Sequence, residues 1–196
     1  MRGKRRMRKG AWMMEPLETA DLLLRPADTA FADELLHYYL RNRALLEPVE
    51  PARSADFYTR EQQEAQLRRD IAAAEAKTGF RFYLFSKDNA KIILGSVALS
   101  QIVWGCFLSC FLSYKLDTGH LSKGYASQAV RAVSQFAFQT LRLHRIEANV
   151  MPRNLPSRRV LEKCGFREEG LARRYLKING VWEDHIHFVL LNAALE

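Results

Sequence analysis

The most regular pattern of hydrophobic positions in this chain lies between residues 120 and 141. Apolar residues recur there at intervals of roughly three to four, which places them on one face of a helix. They are Tyr125, Ala129, Val133, Phe136 and Leu141. A strand-like run at 106–116 precedes the helix, and a short polar loop joins the two. The pattern predicts a strand, a loop and a helix in direct succession.

The polar loop has the composition of an anion site. Ser122, Lys123, Gly124, Tyr125 and Ala126 lead straight into the helix, so free backbone N–H groups and the positive end of the helix dipole meet at one point. Gly124 lets the backbone approach an anion closely, and Lys123 adds positive charge. A glycine at a helix start is also ordinary turn chemistry. The loop by itself therefore leaves a phosphate site and a simple turn both open.

The first part of the chain predicts a strand, a helix and a loop. Residues 18–26 predict the strand, and Asp28 is placed to cap a helix over 29–42. The apolar side of this helix consists of Phe31, Leu35, Tyr38 and Tyr39. Residues 45–54 contain two prolines, which predicts a loop and not regular helix.

Two further helices follow from composition and capping signals. Residues 59–77 are rich in Ala, Glu, Gln and Arg, which predicts a solvent-facing helix ended by Gly79. A later helix has Asn154 as its N-cap, Pro156 in its first turn and Gly165 at its end. The remaining strand-like runs lie at 80–86, 91–101, 145–151, 167–179 and 181–191.

These elements amount to one domain. Asn179-Gly180 between two strand patterns is a strong hairpin signal. The inward side of the final strand is expected to consist of Val181, Ile186, Phe188 and Leu190. A chain of 196 residues that is 48% hydrophobic can bury a sizeable core. We expect an α+β fold over residues 15–196, with a mixed, mostly antiparallel central sheet flanked by helices.

Composition narrows the cellular setting. No apolar run approaches the roughly 20 residues of a membrane-spanning helix, and no apolar segment of a secretion signal follows the basic start. Three cysteines without metal-ligand spacing favour free thiols and a cytoplasmic protein. Cys106 and Cys110 would share one face of a strand, and both are expected in the core. Neither a metal site nor a membrane partner is predicted.

The positive charge is concentrated at the start of the chain. Six of the first ten residues are Lys or Arg, which leaves +2 of the net +8 for the remainder. One interpretation makes residues 1–14 a disordered basic arm that contacts RNA or the ribosome weakly. The other takes Met13 or Met14 as the true start of translation, so that the tail would be missing from the cellular protein. The sequence slightly favours the shorter chain.

Two loop–helix starts on either side of one strand resemble the central motifs of the GCN5-related N-acetyltransferase (GNAT) superfamily. The first start matches at Gly124 and Ala126, and the second at Asn154, Ser157 and the run Glu162-Lys163-Cys164-Gly165-Phe166. The chain is also similar to the bacterial ribosomal-protein N-terminal alanine acetyltransferases, and this resemblance covers nearly everything from residue 19 to 191. It is carried by Arg41-Asn42-Arg43, Leu46-Glu47-Pro48, Glu50-Pro51, 144–149, Met151-Pro152, Ile178-Asn179-Gly180 and Trp182-Glu183-Asp184-His185.

The resemblance implies acetyl-CoA as co-substrate, with an amine attacking its thioester directly. Tyr114 and Leu116 would lie along the pantetheine arm, and backbone donors from Ser122 to Ala126 would hold the pyrophosphate. A backbone N–H within 111–113 would stabilise the oxyanion. Ser157 or Asn154 would assist the leaving thiolate, and Asn154 would also contact the cofactor. The alternative role for Ser157 and Asn154 is helix capping.

Three positions depart from the family pattern. Leu121 replaces the Gln or Arg that begins the loop, and Ser122 stands where Gly is common. We expect weaker cofactor binding, not its loss, because the backbone donors remain. A Tyr that serves many relatives as general acid corresponds to Leu161, which cannot donate a proton.

The acceptor side is less specific. Glu50 and Asp184 are candidates for a base acting through water, although a surface or ion-pairing residue is the commoner role of such a carboxylate. Tyr38, Tyr39 and Trp182 could line an acceptor cleft or pack as aromatic core.

Three hypotheses follow for the activity. The leading one is acetylation of the N-terminal alanine of a small-subunit ribosomal protein, with that N-terminus or the ribosome as partner. The second keeps the chemistry and changes the acceptor to a small amine or another protein N-terminus. The third is a weakly catalytic binding protein that assists ribosome assembly through its basic arm.

Overall fold

The computed structural model describes residues 14–196, and it places eight strands in one sheet. They are β1 (Leu17–Glu18), β2 (Leu22–Pro26), β3 (Phe80–Ser86), β4 (Gly95–Val103), β5 (Ser109–Leu116), β6 (Arg145–Val150), β7 (Arg167–Ile178) and β8 (Val181–Leu191). Their order in the sheet is β1-β2-β3-β4-β5-β6-β8-β7. Neighbouring strands are antiparallel except for β5 and β6. The predicted α+β fold with a mostly antiparallel sheet is confirmed.

Five α-helices flank the sheet: α1 (Ala32–Arg41), α2 (Arg43–Leu46), α3 (Arg60–Glu75), α4 (Tyr125–Gln135) and α5 (Leu155–Lys163). Helix α4 continues into a π-helical turn, Phe136–Thr140. Alternate residues of β3 serve two cores. Phe82 and Leu84 belong to the larger core under α4, whereas Tyr83 and Phe85 join the side chains of α1 and α3. Both faces of β3 are covered, which explains why this strand is apolar almost throughout.

The apolar stripe of α4 is buried as predicted. Ala129, Val133, Phe136 and Leu141 are in the larger core, and Tyr125 packs half-buried at its margin. Asp28 caps the 3-10 turn that leads into α1, with its carboxylate accepting from the Ala30 N–H. The apolar stripe of α4 and the Asp28 cap before α1 are therefore both as the sequence predicts.

Three details of the chain before β5 differ from the prediction. Helix α3 ends through Lys77, which takes a φ of 56°, and not through Gly79. Its inner face is buried at Gln63, Leu67 and Asp70, so α3 is not simply solvent-facing. The 45–54 segment begins within α2 and continues as a 3-10 turn, since Pro48 falls in the first turn, where its missing N–H costs nothing.

Two predicted core positions are exposed. Cys106 lies in the turn before β5, because the strand begins only at Ser109. Val181 is 58% exposed, since it directly follows the hairpin turn at the edge of the sheet. Cys110, Ile186 and Phe188 are buried as predicted, and Leu190 packs half-buried against the same core.

The parallel pairing of β5 and β6 is short, and this positions the site. Ser109, Cys110 and Phe111 pair with residues 145–147, after which the two strands diverge. Within the described chain, residues 112–116 pair with β4 on one side and with no strand on the other. The divergence leaves backbone groups of β5 available to a ligand. No helix in residues 14–196 has the length and apolar character to cross a bilayer.

Candidate active site

Tyr114 and Ser157 meet across the opening between β5 and β6. Tyr114 lies on the part of β5 that pairs with β4 but not with β6. Ser157 lies in the first turn of α5, which follows β6. The Tyr114 Oη atom is 2.7 Å from Ser157 Oγ and donates to the Ser157 carbonyl at 3.0 Å. The structure therefore brings together a residue predicted to bind the cofactor and a residue predicted to assist the leaving group.

Asn154 orients this pair. Its Oδ1 atom accepts a hydrogen bond of 3.2 Å from the Ser157 N–H, which caps α5. Burial raises the pKa of Tyr114 to about 12, and the hydrogen bond to Ser157 works against that rise. Tyr114 is therefore protonated across the physiological range and can act as a hydrogen-bond donor.

The loop between β5 and α4 has the geometry of an anion site. Ser122 and Gly124 both adopt left-handed conformations, with φ of 60° and 79°, and α4 begins at Tyr125. The N–H groups of Ser122, Lys123 and Gly124 have no acceptor among residues 14–196. A Cβ built on Gly124 would meet nothing within 4 Å. Free donors, open space and a helix start coincide here.

The departures from the family pattern have visible consequences. Leu121 is 46% exposed beside the loop, where it offers no polar group to a phosphate. Leu161 is fully buried in the larger core, so this position packs α5 against the sheet. Ser122 carries a side chain in a conformation that favours glycine, which costs roughly 1–2 kcal/mol.

We expect Ser122→Gly to raise the free energy of unfolding by about 1 kcal/mol, because it relieves the left-handed strain. Urea titration of the ligand-free protein measures this change. Ser127→Gly, inside α4, is the matched control and should lower stability by about 0.5–1 kcal/mol. A destabilised Ser122→Gly protein would show that the strain is not stored at this residue.

The opposite face of the sheet carries a polar cavity of about 310 Å³. Its lining includes Tyr39, Glu50, Arg53 and Asn179. Glu50 is bonded to Arg53 and to Lys115, whose Nζ atom also donates to Tyr39 Oη at 3.2 Å. Lys115 neighbours Tyr114 on β5, so its side chain points to the other face. The alternation of β5 could have revealed this cation beside the cavity.

Glu50 lies in the cavity but is a weak base. Burial raises its pKa, yet Lys115 and Arg53 outweigh burial and leave the pKa below its ordinary value. Asp184 instead accepts a hydrogen bond of 2.8 Å from the Arg174 N–H across the β7–β8 hairpin. Of the two predicted carboxylates, only Glu50 is among the residues that line this cavity.

The aromatic candidates separate in the structure. Tyr38 is buried core, Tyr39 lines the cavity and Trp182 is exposed. His185 is buried, with Nδ1 3.1 Å from the Glu183 carbonyl. No group of three or more metal-ligating side chains occurs within residues 14–196. The basic tail lies outside the described residues except for Met14.

Asp117 anchors the start of the loop between β5 and α4, and the sequence analysis missed it. Its Oδ2 atom accepts from Arg41 Nε at 2.7 Å and from Asn42 Nδ2 at 2.9 Å, while Oδ1 accepts from the Gly119 N–H at 2.9 Å. Burial raises the pKa of Asp117, but the hydrogen bonds from Asn42, Arg41, His120 and Gly119 outweigh it and lower the pKa to about 2.

Asp117→Asn should lower the free energy of unfolding at pH 7 by about 2 kcal/mol, because a pKa held below 3.8 stabilises the folded state. The side chain is only 7% exposed, so solvent screens little of this effect. The contribution is complete above the ordinary pKa and disappears as the pH falls through about 2. Urea titrations from pH 7 to pH 2 should therefore converge for the two proteins. If the two proteins differed in free energy of unfolding by the same amount at every pH, the lowered pKa of Asp117 would not be the cause.

Comparison with known proteins agrees with this geometry. Residues 21–167 match the acetyltransferase (GNAT) domain. The chain is 42% identical over 176 residues to the Probable N-acetyltransferase YjcK of Bacillus subtilis (strain 168), covering 90% of this chain and 97% of that protein. It is 35% identical over 170 residues to the ribosomal protein uS5-alanine N-acetyltransferase of Escherichia coli (strain K12), covering 87% of each.

Solved structures match over the same extent. The ribosomal-protein-S5-alanine acetyltransferase from Vibrio fischeri has a TM-score of 0.88 at 33% identity, covering 93% of this chain and 100% of that chain. RimJ of Mycobacterium smegmatis, in complex with CoA-disulfide, has a TM-score of 0.84 at 28% identity, covering 92% and 88%. The chain therefore belongs to the GNAT acetyltransferase family and is an N-acetyltransferase of the RimJ-like type.

Proposed function

We propose that this enzyme acetylates the N-terminal alanine of the small-subunit ribosomal protein uS5, using acetyl-CoA. The observation that carries the activity is the Tyr114–Ser157 pair across the diverging strands, next to a loop with free backbone donors. The acceptor is supported by the Escherichia coli relative and the Vibrio fischeri structure, both named for the alanine of this ribosomal protein.

The loop fits the diphosphate of coenzyme A. The open space at Gly124 admits an anion, and Ser122, Lys123, Tyr125 and Ala126 supply backbone N–H groups around it. Tyr114 and Leu116 lie on the part of β5 that has no partner on the β6 side, and the pantetheine arm would run along them. The Mycobacterium smegmatis relative was solved with a CoA-disulfide, which supports this choice of ligand. When bound, acetyl-CoA supplies an acetyl thioester.

Tyr114 and Ser157 would stabilise the sulfur as the thioester bond breaks. A thiol has an ordinary pKa of about 8.5, so a phenol of pKa about 12 does not give its proton fully to a thiolate. Tyr114 therefore acts by hydrogen bonding, with Ser157 beside it and Asn154 holding the helix start. In the balanced reaction the neutral amine nitrogen bonds to the acetyl carbon as the carbon–sulfur bond breaks. The nitrogen loses one proton and the coenzyme A thiolate gains one, by exchange through water, so that coenzyme A leaves as its thiol.

The cavity around Glu50 is the candidate acceptor side. A protein α-amino group has a pKa of about 7.7–8.0, so a useful fraction is neutral near pH 7. Only a weak base is then required, and Glu50 acting through water satisfies this need better than Asp184, whose carboxylate holds the hairpin backbone. Lys115 and Arg53 keep Glu50 ionised at the pH where the amine reacts.

Mass spectrometry of ribosomal proteins from cells with and without this gene tests the acceptor. The expected result is the loss of one acetyl group from the N-terminus of uS5 and from no other ribosomal protein. With the purified enzyme, an alanine-initiated uS5 peptide should be acetylated, and the same peptide blocked at its N-terminus should not. Acetylation of a small amine with an inert uS5 peptide would favour a small-molecule acceptor and overturn the proposal.

A further inference from the structure

A hydrogen-bond cluster centred on two buried residues, Asn42 and Asp117, joins the cofactor loop to the acceptor side of the sheet. We call Arg41, Asn42, Asp117 and Thr118 the junction. Asn42 Oδ1 accepts from the Thr118 N–H at 2.8 Å, and Asn42 Nδ2 donates to Asp117 Oδ2 at 2.9 Å. Arg41 Nε donates to the same Asp117 oxygen at 2.7 Å. Two consecutive residues at the end of α1 therefore hold the two residues at which the loop begins.

The junction continues directly into the cavity wall. The Asn42 carbonyl accepts from the N–H groups of Leu45 and Leu46 at 3.0 Å each, which starts α2. The cavity is lined by Arg43, Leu46 and Glu47 from this turn, and by residues 50–53 after it. The side chain of Asn42 thus binds the start of the loop, and its backbone carbonyl binds the turn that forms the cavity wall.

The junction cannot deform without cost. Asn42 is 0% exposed, and its Nδ2 atom also donates to the Tyr38 carbonyl at 2.9 Å. If the bond from Thr118 broke, the buried Asn42 oxygen would be left unpaired, at about the full desolvation cost of that group. A shift of Thr118 therefore displaces Asn42 with it. At the far end of the same loop segment, His120 bonds Asp117 and stacks on Tyr125, the first residue of α4.

We propose that Asn42 is a positioning residue that transmits the state of the cofactor loop to the acceptor cavity. Coenzyme A bound at the loop holds Asp117 and Thr118 in place. These two residues hold Asn42 through their hydrogen bonds, so residues 43–53 become ordered before the acceptor enters. The inference rests on the proposed cofactor loop. It assigns to Asn42 a role in the order of substrate binding and not in the chemical step.

Hydrogen exchange with coenzyme A alone as the probe tests this coupling without any acceptor. In the wild-type protein, coenzyme A should slow amide exchange in residues 43–53 about fivefold or more, the lower end of common couplings between sites. The critical variant is Thr118→Pro, which deletes the N–H that donates to Asn42. Proline is compatible here, because Thr118 begins a 3-10 turn and Asp117 is extended.

Thr118→Ala is the matched control, since it keeps the N–H. We expect coenzyme A to bind both variants in calorimetry, with the slowed exchange retained in Thr118→Ala and lost in Thr118→Pro. Asn42→Ala should reproduce the loss from the other side of the junction. Equal protection in the proline and alanine variants would overturn the inference.

Two other results separate the inference from the proposed function. A wild-type protein that does not bind coenzyme A would overturn the cofactor loop and the inference with it. Loss of coenzyme A binding in both Thr118→Pro and Asn42→Ala, but not in Thr118→Ala, would overturn the inference alone. The junction would then shape the loop without carrying its state to the cavity.

Discussion

Gly124→Val should weaken coenzyme A binding by about a hundredfold or more, while the protein remains folded. A branched side chain at this position would fill the open space that a diphosphate needs, and a hundredfold change corresponds to about 2.7 kcal/mol. Isothermal titration calorimetry measures the dissociation constant, and thermal unfolding confirms the fold. This is the largest effect we expect from one residue of the loop.

The backbone strain of the variant requires its own control. Gly105, in the turn between β4 and β5, has a φ of 73° and an equally open Cβ position. Gly105→Val therefore carries the same conformational cost away from the loop. Affinity for coenzyme A should be unchanged in Gly105→Val. Undiminished affinity in Gly124→Val would remove this loop from the cofactor site.

Tyr114→Phe should lower kcat by about a hundredfold, with little change in the KM for acetyl-CoA. The hydroxyl is a positioned hydrogen-bond donor beside Ser157, and removing one such donor from a developing negative charge costs about 10²–10³ in kcat. Steady-state kinetics with an alanine-initiated peptide gives both constants. Ser157→Ala should act in the same direction with a smaller loss, since Tyr114 keeps its own hydroxyl.

Tyr83→Phe is the matched control for this substitution. Tyr83 is also a buried tyrosine, and its hydroxyl donates to Asp70 at 2.8 Å on the α3 side of the sheet. It should reduce stability and leave kcat unchanged. If Tyr114→Phe retained full kcat, the leaving sulfur would not depend on the Tyr114–Ser157 pair.

The local pattern of the sequence was enough to predict most elements. The stripe of α4, the Asn154 cap and the Asn179-Gly180 hairpin all follow from rules that act within a few residues. Asn179 and Gly180 both take left-handed conformations, as such a hairpin turn requires. Where a local signal competed with another, the prediction was wrong: Lys77 takes the left-handed position for which Gly79 was the better residue.

Composition and spacing predicted the candidate site only where it is contiguous in the chain, and the family resemblance supplied Tyr114 and Ser157. Residues 122–126 form one loop, so their composition alone marks it. The partners Tyr114 and Ser157 are 43 positions apart, and Asn42 and Asp117 are 75 apart. These pairs depend on how strands and helices that are distant in the chain pack together, and no local pattern predicts that. Lys115 is next to Tyr114, but its partners Glu50 and Tyr39 are distant in the chain and meet it on the other face of β5.

The short parallel contact between β5 and β6 also bears on how the molecule is assembled. Strands β1–β5 and strands β6–β8 are two antiparallel groups, and three residue pairs join them within the sheet. Contacts that are near in sequence form before distant ones, so we expect each group to gain structure before the two dock. A ligand that spans the gap would then act as a clamp between the halves, raising the melting temperature of the whole chain.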